Sequence, residues 1–256
     1  MTHFIEKTFE NQQLSQAQVE FELVLSRTCC GETGYAHGGG VQASALTEST
    51  AISDATLNNQ HASLASHPAL EFLLAMDGDP AATFNIECYT DLPKGEVKPK
   101  PDPLLARYPN LSIGEVEHLL PTLERANAAG AGVFFCVNQC QGQRSKKNVT
   151  RVRCMHGDFD SATAAMLENV YATLHPSIAV TTSGTNRCHL YWLLSKDQAI
   201  SKEVAEALNK SLVLLGADLS ATDVSRLLRL PGFRHMKYRA EGVTPMVIAN
   251  YFHQTR

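Results

Sequence analysis

Three observations in the amino-acid sequence predict an α+β fold. Short apolar or alternating stretches, among them ATFNIECYT and GVFFCVN, have the length and pattern of strands. Other segments open on a serine, or on Ser-x-x-Glu, and then take a helical period. Brief polar turns join several of the strands, which favours a mixed or antiparallel sheet flanked by helices over a parallel α/β sheet.

In chain order, Ser15 stands three residues before Gln18 and opens a helix over 16–26. Residues 28–60 are rich in Gly, Ser, Thr and Ala without a sustained period, so 1–65 reads as an N-terminal helix and mobile linker, an appendage suited to docking. SHPALEFLLAMDG is a short helix with proline in its first turn. AATFNIECYT sets Phe84, Ile86 and Cys88 on one side, a strand covered on one face. The prolines of PKGEVKPKPDP deny it a ladder and make it a loop.

Ser112 and Glu115 then form a capping box for a helix that Pro121 should kink or divide and Gly130 should stop. GVFFCVN and VTRVRCMHGDFD read as a hairpin with Arg144, Lys146 and Lys147 at its basic tip. A helix over 161–174 leads to strands SIAVTTS and HLYWLL joined by the turn GTNRC. Ser201 opens a helix to about Gly216, ATDVSRLLRLPG reads as a last short helix stopped by Pro231 and Gly232, and 244–252 adds a strand.

With 256 residues the chain has room for one large domain, and 44% hydrophobic residues give it a core. A net charge of -4 excludes a generally basic surface for polyanions, while permitting a local one. Seven cysteines without a regular framework, and no secretory leader, point to a reducing cytoplasmic setting. No apolar run reaches the roughly 20 residues that cross a bilayer, so a soluble protein with no membrane partner is expected.

In RVRCMHGDFD the strand period turns Asp158 and Asp160 to one face and Phe159 to the other. Two hard carboxylates at this spacing suit Mg²⁺ or Mn²⁺, whose charge offsets their repulsion; a solvated strand end is the plainer alternative. A haloacid-dehalogenase-like phosphatase would want Thr or Val where Ala162 stands, whereas a glycosyltransferase remains open.

In TTSGTNRCHLYW, Ser183 and Gly184 can bring backbone amides to a polyanion and His189 can donate to a phosphate oxygen, although a tight hairpin with a satisfied histidine would look the same. TDVSRLLRLPGFRHMK places Asp223, Arg226 and Arg229 at i,i+3 intervals on the expected helix, followed by Arg234 and Lys237; a salt-bridged surface helix is the alternative. Asp223 is the preferred third carboxylate and Asp218 its competitor. Arg144, Lys146, Lys147 and Arg151 are candidate contacts to a nucleic-acid backbone, or a solvated basic turn. Cys136 and Cys140 lack a second matching pair, and the same holds for Cys29, Cys30 and His37, so no structural zinc is expected.

The ordered set GAGVFFCVN, RVRCMHGDFD, TTSGTNRCHLYWL and TDVSRLLRLPGFRHMK resembles the archaeo-eukaryotic primase superfamily, in particular the RepB-like primase domains of plasmids and phages. The resemblance implies a catalytic domain over 66–256, with a sheet and helices forming a cleft against a small αβ unit. It implies that Asp158, Asp160 and Asp223 bind Mg²⁺ or Mn²⁺ and are catalytic. Ser183, Gly184, His189, Arg226, Arg229 and Lys237 would receive the nucleotide, with His235 standing where many relatives carry Asn.

The activity implied is primer synthesis on single-stranded DNA from nucleoside triphosphates, with a replicative helicase as a candidate partner. Alternatives are a non-catalytic single-stranded DNA-binding or replication-initiation module, and a polymerase that extends existing primers without starting them.

Overall fold

The computed structural model describes residues 67–93, 95–184, 186–195 and 197–252. The helix expected over 16–26, the linker over 28–60, and Cys29, Cys30 and His37 lie outside the described residues. The elements run α1 (Pro68–Met76), β1 (Thr83–Thr90), β2 (Ala106–Ser112), α2 (Ile113–Ala128), β3 (Ala131–Cys136), β4 (Gln139–Cys140), β5 (Val149–Arg151), β6 (Cys154–Phe159), α3 (Ala164–Leu174), β7 (Ile178–Gly184), β8 (Arg187–Leu193), α4 (Lys202–Ser211), β9 (Leu227–Arg229) and β10 (Ile248–Tyr251). Among the described residues no helix is long and apolar enough to cross a membrane.

Two four-stranded sheets, ordered β2-β1-β3-β9 and β10-β7-β8-β6, are antiparallel at every pairing, and β4 pairs with β5 in a small separate ladder. Helices α1 and α2 cover one face of the first sheet through Phe72, Leu73 and Val116 against Phe84, Ile86 and Phe135. Helices α3 and α4 cover the second through Val170 and Leu208 against Phe159, Leu190 and Trp192. Alternate residues of the second sheet, including Val180 and Tyr191, join the first core instead. Tyr191 meets Phe72 edge-on at 5.7 Å and lies 6.2 Å from Phe135, so the sheets are joined through shared aromatic packing.

The capping box forms as the sequence predicts: Ser112 accepts from the Glu115 amide, and the Glu115 carboxylate accepts from the Ser112 amide at 2.7 Å. Pro121 neither divides nor ends α2. It sits on the exposed side, where the carbonyl deprived of an amide partner can be hydrated.

Three other expectations are corrected, and one strand was not foreseen. β1 is buried on both faces, because Asn85 donates to the Gly142 carbonyl and Glu87 pairs with Arg144. Strand β2 was hidden by Pro109; the β1–β2 register shifts there and Asn110 takes φ 56. GVFFC and CMHGDF do not form a hairpin, since β3 pairs with β1 and β9 while β6 pairs with β8. RLLRLPG is not helical: Leu227–Arg229 pairs with β3 as an edge strand, because Leu228 has a core place there.

Candidate active site

The site grows from the end of β6. Gly157 has no side chain, and a Cβ there would stand 2.7 Å from the Phe159 ring and 3.3 Å from Leu212, so glycine lets Phe159 fold back into the core and α4 approach. His156 fixes the same strand from beneath. Its amide donates to Asn209 at 2.9 Å, one ring nitrogen meets the Ala221 carbonyl at 3.0 Å, and the other lies 3.3 Å from the Asn209 amide. Burial lowers the His156 pKa to about 4, so this histidine is a neutral tie between β6, α4 and the segment that carries Asp218.

Asp158 stands opposite His189 in the β6–β8 ladder, with Oδ1 3.7 Å from Nε2. The Asp158 side chain is 13% exposed, and Asp160, one residue beyond the strand, is open to solvent. Burial chiefly, then the charge of Asp160, raises the Asp158 pKa to about 7; Arg226 and Arg229 oppose that rise and Asp218 adds to it. Burial first and the charge of Arg229 second hold His189 well below its ordinary value. The contact therefore joins a neutral imidazole to a carboxyl.

Asp218 is brought beside this pair. Its amide donates to the Asp158 carbonyl at 2.7 Å, while its carboxylate accepts from the Ser220 amide and hydroxyl at 2.8 and 2.9 Å. Asp223 turns elsewhere. It accepts from the Ser225 amide and hydroxyl and lines a cleft with Glu87, Tyr89 and Arg144. With a strand in place of the expected helix, Asp223 and Arg229 share no helical face.

Arg229 is held by a two-pronged contact with Asp91, at 2.8 and 2.9 Å, and Asp91 also accepts from the Met236 amide. His235 lies 3.9 Å from the same carboxylate, and its pKa falls to about 4 through burial and then Arg229. Asp158 Oδ1, Ser183 Oγ, His189 Nδ1, Arg226 Nε and both His235 ring nitrogens are buried without a hydrogen-bond partner. Native proteins rarely leave so many orphans close together. Gly184 is exposed, and Lys237 is half-buried with Nζ 5.6 Å from the Tyr238 ring.

Most of the expected nucleic-acid contacts are already engaged with the protein. Arg144 donates to Glu87 at 2.9 Å and to the Ser225 carbonyl, Lys146 donates to Glu206 at 2.6 Å, and Arg151 pairs with Asp77. Lys147 is exposed. Cys136 and Cys140 lie with their sulfurs 3.6 Å apart, both buried and free. Among the described residues no three His, Cys, Asp or Glu side chains stand together as a ready ligand set.

Sequence reasoning missed Asp91, whose signal is nothing more than an acid in a TDLP turn, and left His235 without a role.

The α+β core of two antiparallel sheets flanked by helices matches in fold the catalytic cores of solved primases. The chain has 19% identity and a TM-score of 0.53 to the crystal structure of primase RepB', over 72% of this chain and 55% of that one. It is similar to the AEP domain of the cyanophage S-2L primase-polymerase at 18% identity and TM-score 0.54, over 73% of this chain and 90% of that one. To the catalytic domain of primase RepB' in complex with initiator DNA the values are 20% and 0.51, over 71% and 82%.

The chain thus spans little more than half the length of the first of these proteins. No curated protein sequence matches it significantly. Residues 137–254 match the model of the RepB DNA-primase N-terminal domain, and in fold the chain is similar to these primase and primase-polymerase structures.

Proposed function

We propose that this protein is a DNA primase, a nucleotidyltransferase that makes short primers on single-stranded DNA in the cytoplasm during plasmid or phage replication. One observation carries the reading: His189, His235 and Arg226, the last two near enough for their charges to act on His189, each hold a buried polar atom without a partner, as does Asp158 3.7 Å from His189, and we read them as one wall. Such a wall suits a ligand that is anionic at one end and cation-bound at the other, as a metal-nucleotide is.

The carboxylates fit a divalent ion in donor type and in charge. Burial first, and then the negative charge of Asp160 and Asp218, let Asp158 hold its own proton to about pH 7. Asp158, Asp160 and Asp218 would hold Mg²⁺ or Mn²⁺, with Asp218 rather than Asp223 in the third place. The ion, when bound, would favour ionisation of the attacking 3'-hydroxyl and offset charge on the triphosphate.

The side chains orient the rest. His189, neutral and buried, donates its N–H to a phosphate oxygen, and Arg226 supplies a cation beside it. Arg229, aligned by Asp91, adds a second fixed cation, while His235 offers another neutral donor. The 3'-oxygen attacks the α-phosphorus in line, the bond to the bridging oxygen breaks, and pyrophosphate leaves with its charge held by these donors.

Incubation with circular single-stranded DNA, labelled nucleoside triphosphates and Mg²⁺ or Mn²⁺, with and without an annealed primer, tests the reading. New product without a primer supports a primase. Product only with the primer identifies an extending polymerase, and DNA binding with no product identifies a non-catalytic replication module.

A further inference from the structure

The first sheet has a second face, away from α1 and α2. Ile86, Cys88, Val133, Phe135 and Leu228 enter the core, so the alternate residues Tyr89, Phe134 and Arg229 point the other way. Tyr89 pairs with Gly132 across the ladder. A Cβ on Gly132 would stand 2.5 Å from the Phe134 ring, so glycine is what lets Phe134 lie flat over its own strand and reach Tyr89. The two rings stack with centroids 4.3 Å apart and planes 6° from parallel. Arg229 lies 4.9 Å from the Phe134 centroid, and the ammonium of exposed Lys98 lies over the Tyr89 ring, 3.8 Å from its centroid.

This column borders a cleft of about 410 Å³, large enough for a nucleotide-sized group. Tyr89, Leu105 and Leu227 give it apolar surface, and Lys98, Arg107, Arg144 and Arg226 stand against three carboxylates around it. The cleft adjoins the wall described above, because Arg226 lines it and the charges of Arg226 and Arg229 both reach Asp158 and His189. A flat ring backed by a second ring, with cations at its margin, matches the stacking surfaces on which single-stranded nucleic acids lay their bases. A duplex offers no base face for such a contact.

We propose that Tyr89 is a stacking platform for an unpaired base of a single-stranded template, which enters by displacing Lys98 from the ring, and that Lys98 and Arg107 then meet the adjoining phosphates. An exposed cation–π contact is weaker than base–aromatic stacking, so the exchange favours the base. The proposal rests on the nucleic-acid reading of the chain and adds to it the subsite that receives the template.

The test is binding of a single-stranded oligonucleotide carrying 2-aminopurine to the full chain, followed by fluorescence and by affinity at two salt concentrations, with deoxythymidine triphosphate alone as a parallel arm. The expected result is quenching on binding by the wild type and by Tyr89→Phe, and loss of quenching with about tenfold weaker binding in Tyr89→Leu. Lys98→Glu, a change at an exposed position that leaves the fold alone, should weaken binding most at low salt, and it carries the test by itself where Tyr89→Leu does not fold.

Unchanged quenching and affinity in Tyr89→Leu overturns the proposal. So does unchanged low-salt binding in Lys98→Glu, or an effect confined to the triphosphate arm. Tyr89-dependent binding without nucleotide incorporation supports the platform while removing the primase reading, so the two fail separately.

Discussion

Asp158 and His189 face each other across one antiparallel ladder, 3.7 Å apart, and neither group is paired as an ion: the carboxyl holds a proton to about pH 7 and the imidazole stays neutral. Both conditions trace to the same burial. A carboxylate and a histidine in water at this distance would attract as ions, whereas here desolvation disfavours the charged form of each. The free protein therefore holds its strongest candidate metal ligand and its strongest candidate phosphate donor short of the charges that a bound metal-nucleotide would supply.

This arrangement has a pH signature. In the unfolded chain Asp158 ionises near 3.8, and in the folded chain near 7, so between these values the folded state holds more protons and stability falls as pH rises. Buried His156, His189 and His235 act oppositely below about 6.5, because the unfolded chain takes up protons that the folded chain refuses. Denaturant titrations of wild type and Asp158→Asn from pH 4 to 8 separate the two. The wild type should lose stability relative to the variant with rising pH, by on the order of a few kcal/mol over the window. Parallel curves for the two proteins would show that Asp158 ionises normally.

The negative charge that Asp160 and Asp218 add at buried Asp158 makes a divalent ion stabilising there. Millimolar Mn²⁺ should raise the wild-type melting temperature at pH 8 and leave Asp158→Asn and the double variant Asp158→Ala/Asp160→Ala unmoved. Both variants should fold and should incorporate no nucleotide. Full incorporation by the double variant would remove the acidic pair from the chemistry.

His189 and His235 should act on nucleotide binding. Replacing either by Ala deletes a neutral donor to the triphosphate, worth about tenfold in the nucleotide concentration needed for half-maximal rate, with a smaller effect at saturation. Steady-state kinetics against nucleotide concentration measures this. An unchanged half-saturation point for His189→Ala would return that histidine to a structural role.

The third carboxylate is decided by a comparison. Asp218 touches the Asp158 backbone and adds to its charge crowding, whereas Asp223 faces the cleft of Tyr89 and Arg144. Asp218→Asn should therefore lower primer synthesis by at least a hundredfold and abolish the Mn²⁺ stabilisation, while Asp223→Asn should keep that stabilisation. The opposite pattern would restore Asp223 to the centre.

Much of this was legible in the sequence where one local rule dominates. The capping box at Ser112, the strand ends around Asp158 and the turn between β7 and β8 are all set by neighbours within a few residues. The rest depended on partners far along the chain. Leu227–Arg229 has helical spacing, yet β3 gives Leu228 a buried place that outweighs a short helix; β2 was masked because Pro109 breaks the pattern at the point where the register shifts. Arg144 and Arg151 looked like a free basic surface because Glu87 and Asp77, which hold them, lie 57 and 74 residues away. Asp91 was unreadable for the same reason, its partner standing 138 residues later.

That partner sets the last prediction. Asp91 and Arg229 are side chains 6% and 12% exposed, so their pairing is made in a poorly solvated setting, and Asp91 also fixes the Met236 amide. Changing Asp91 to Asn leaves the Arg229 charge buried with a weaker partner, a loss of about 3 to 5 kcal/mol when such a pair is broken. Arg229 would also lose its two-pronged alignment, so nucleotide affinity should fall along with stability. In the double variant Asp91→Asn/Arg229→Met the uncompensated charge is gone, and much of the stability should return without the nucleotide affinity. Denaturant titration and nucleotide binding on the same three variants check this; stability and affinity recovering together would mean that Arg229 serves the fold alone.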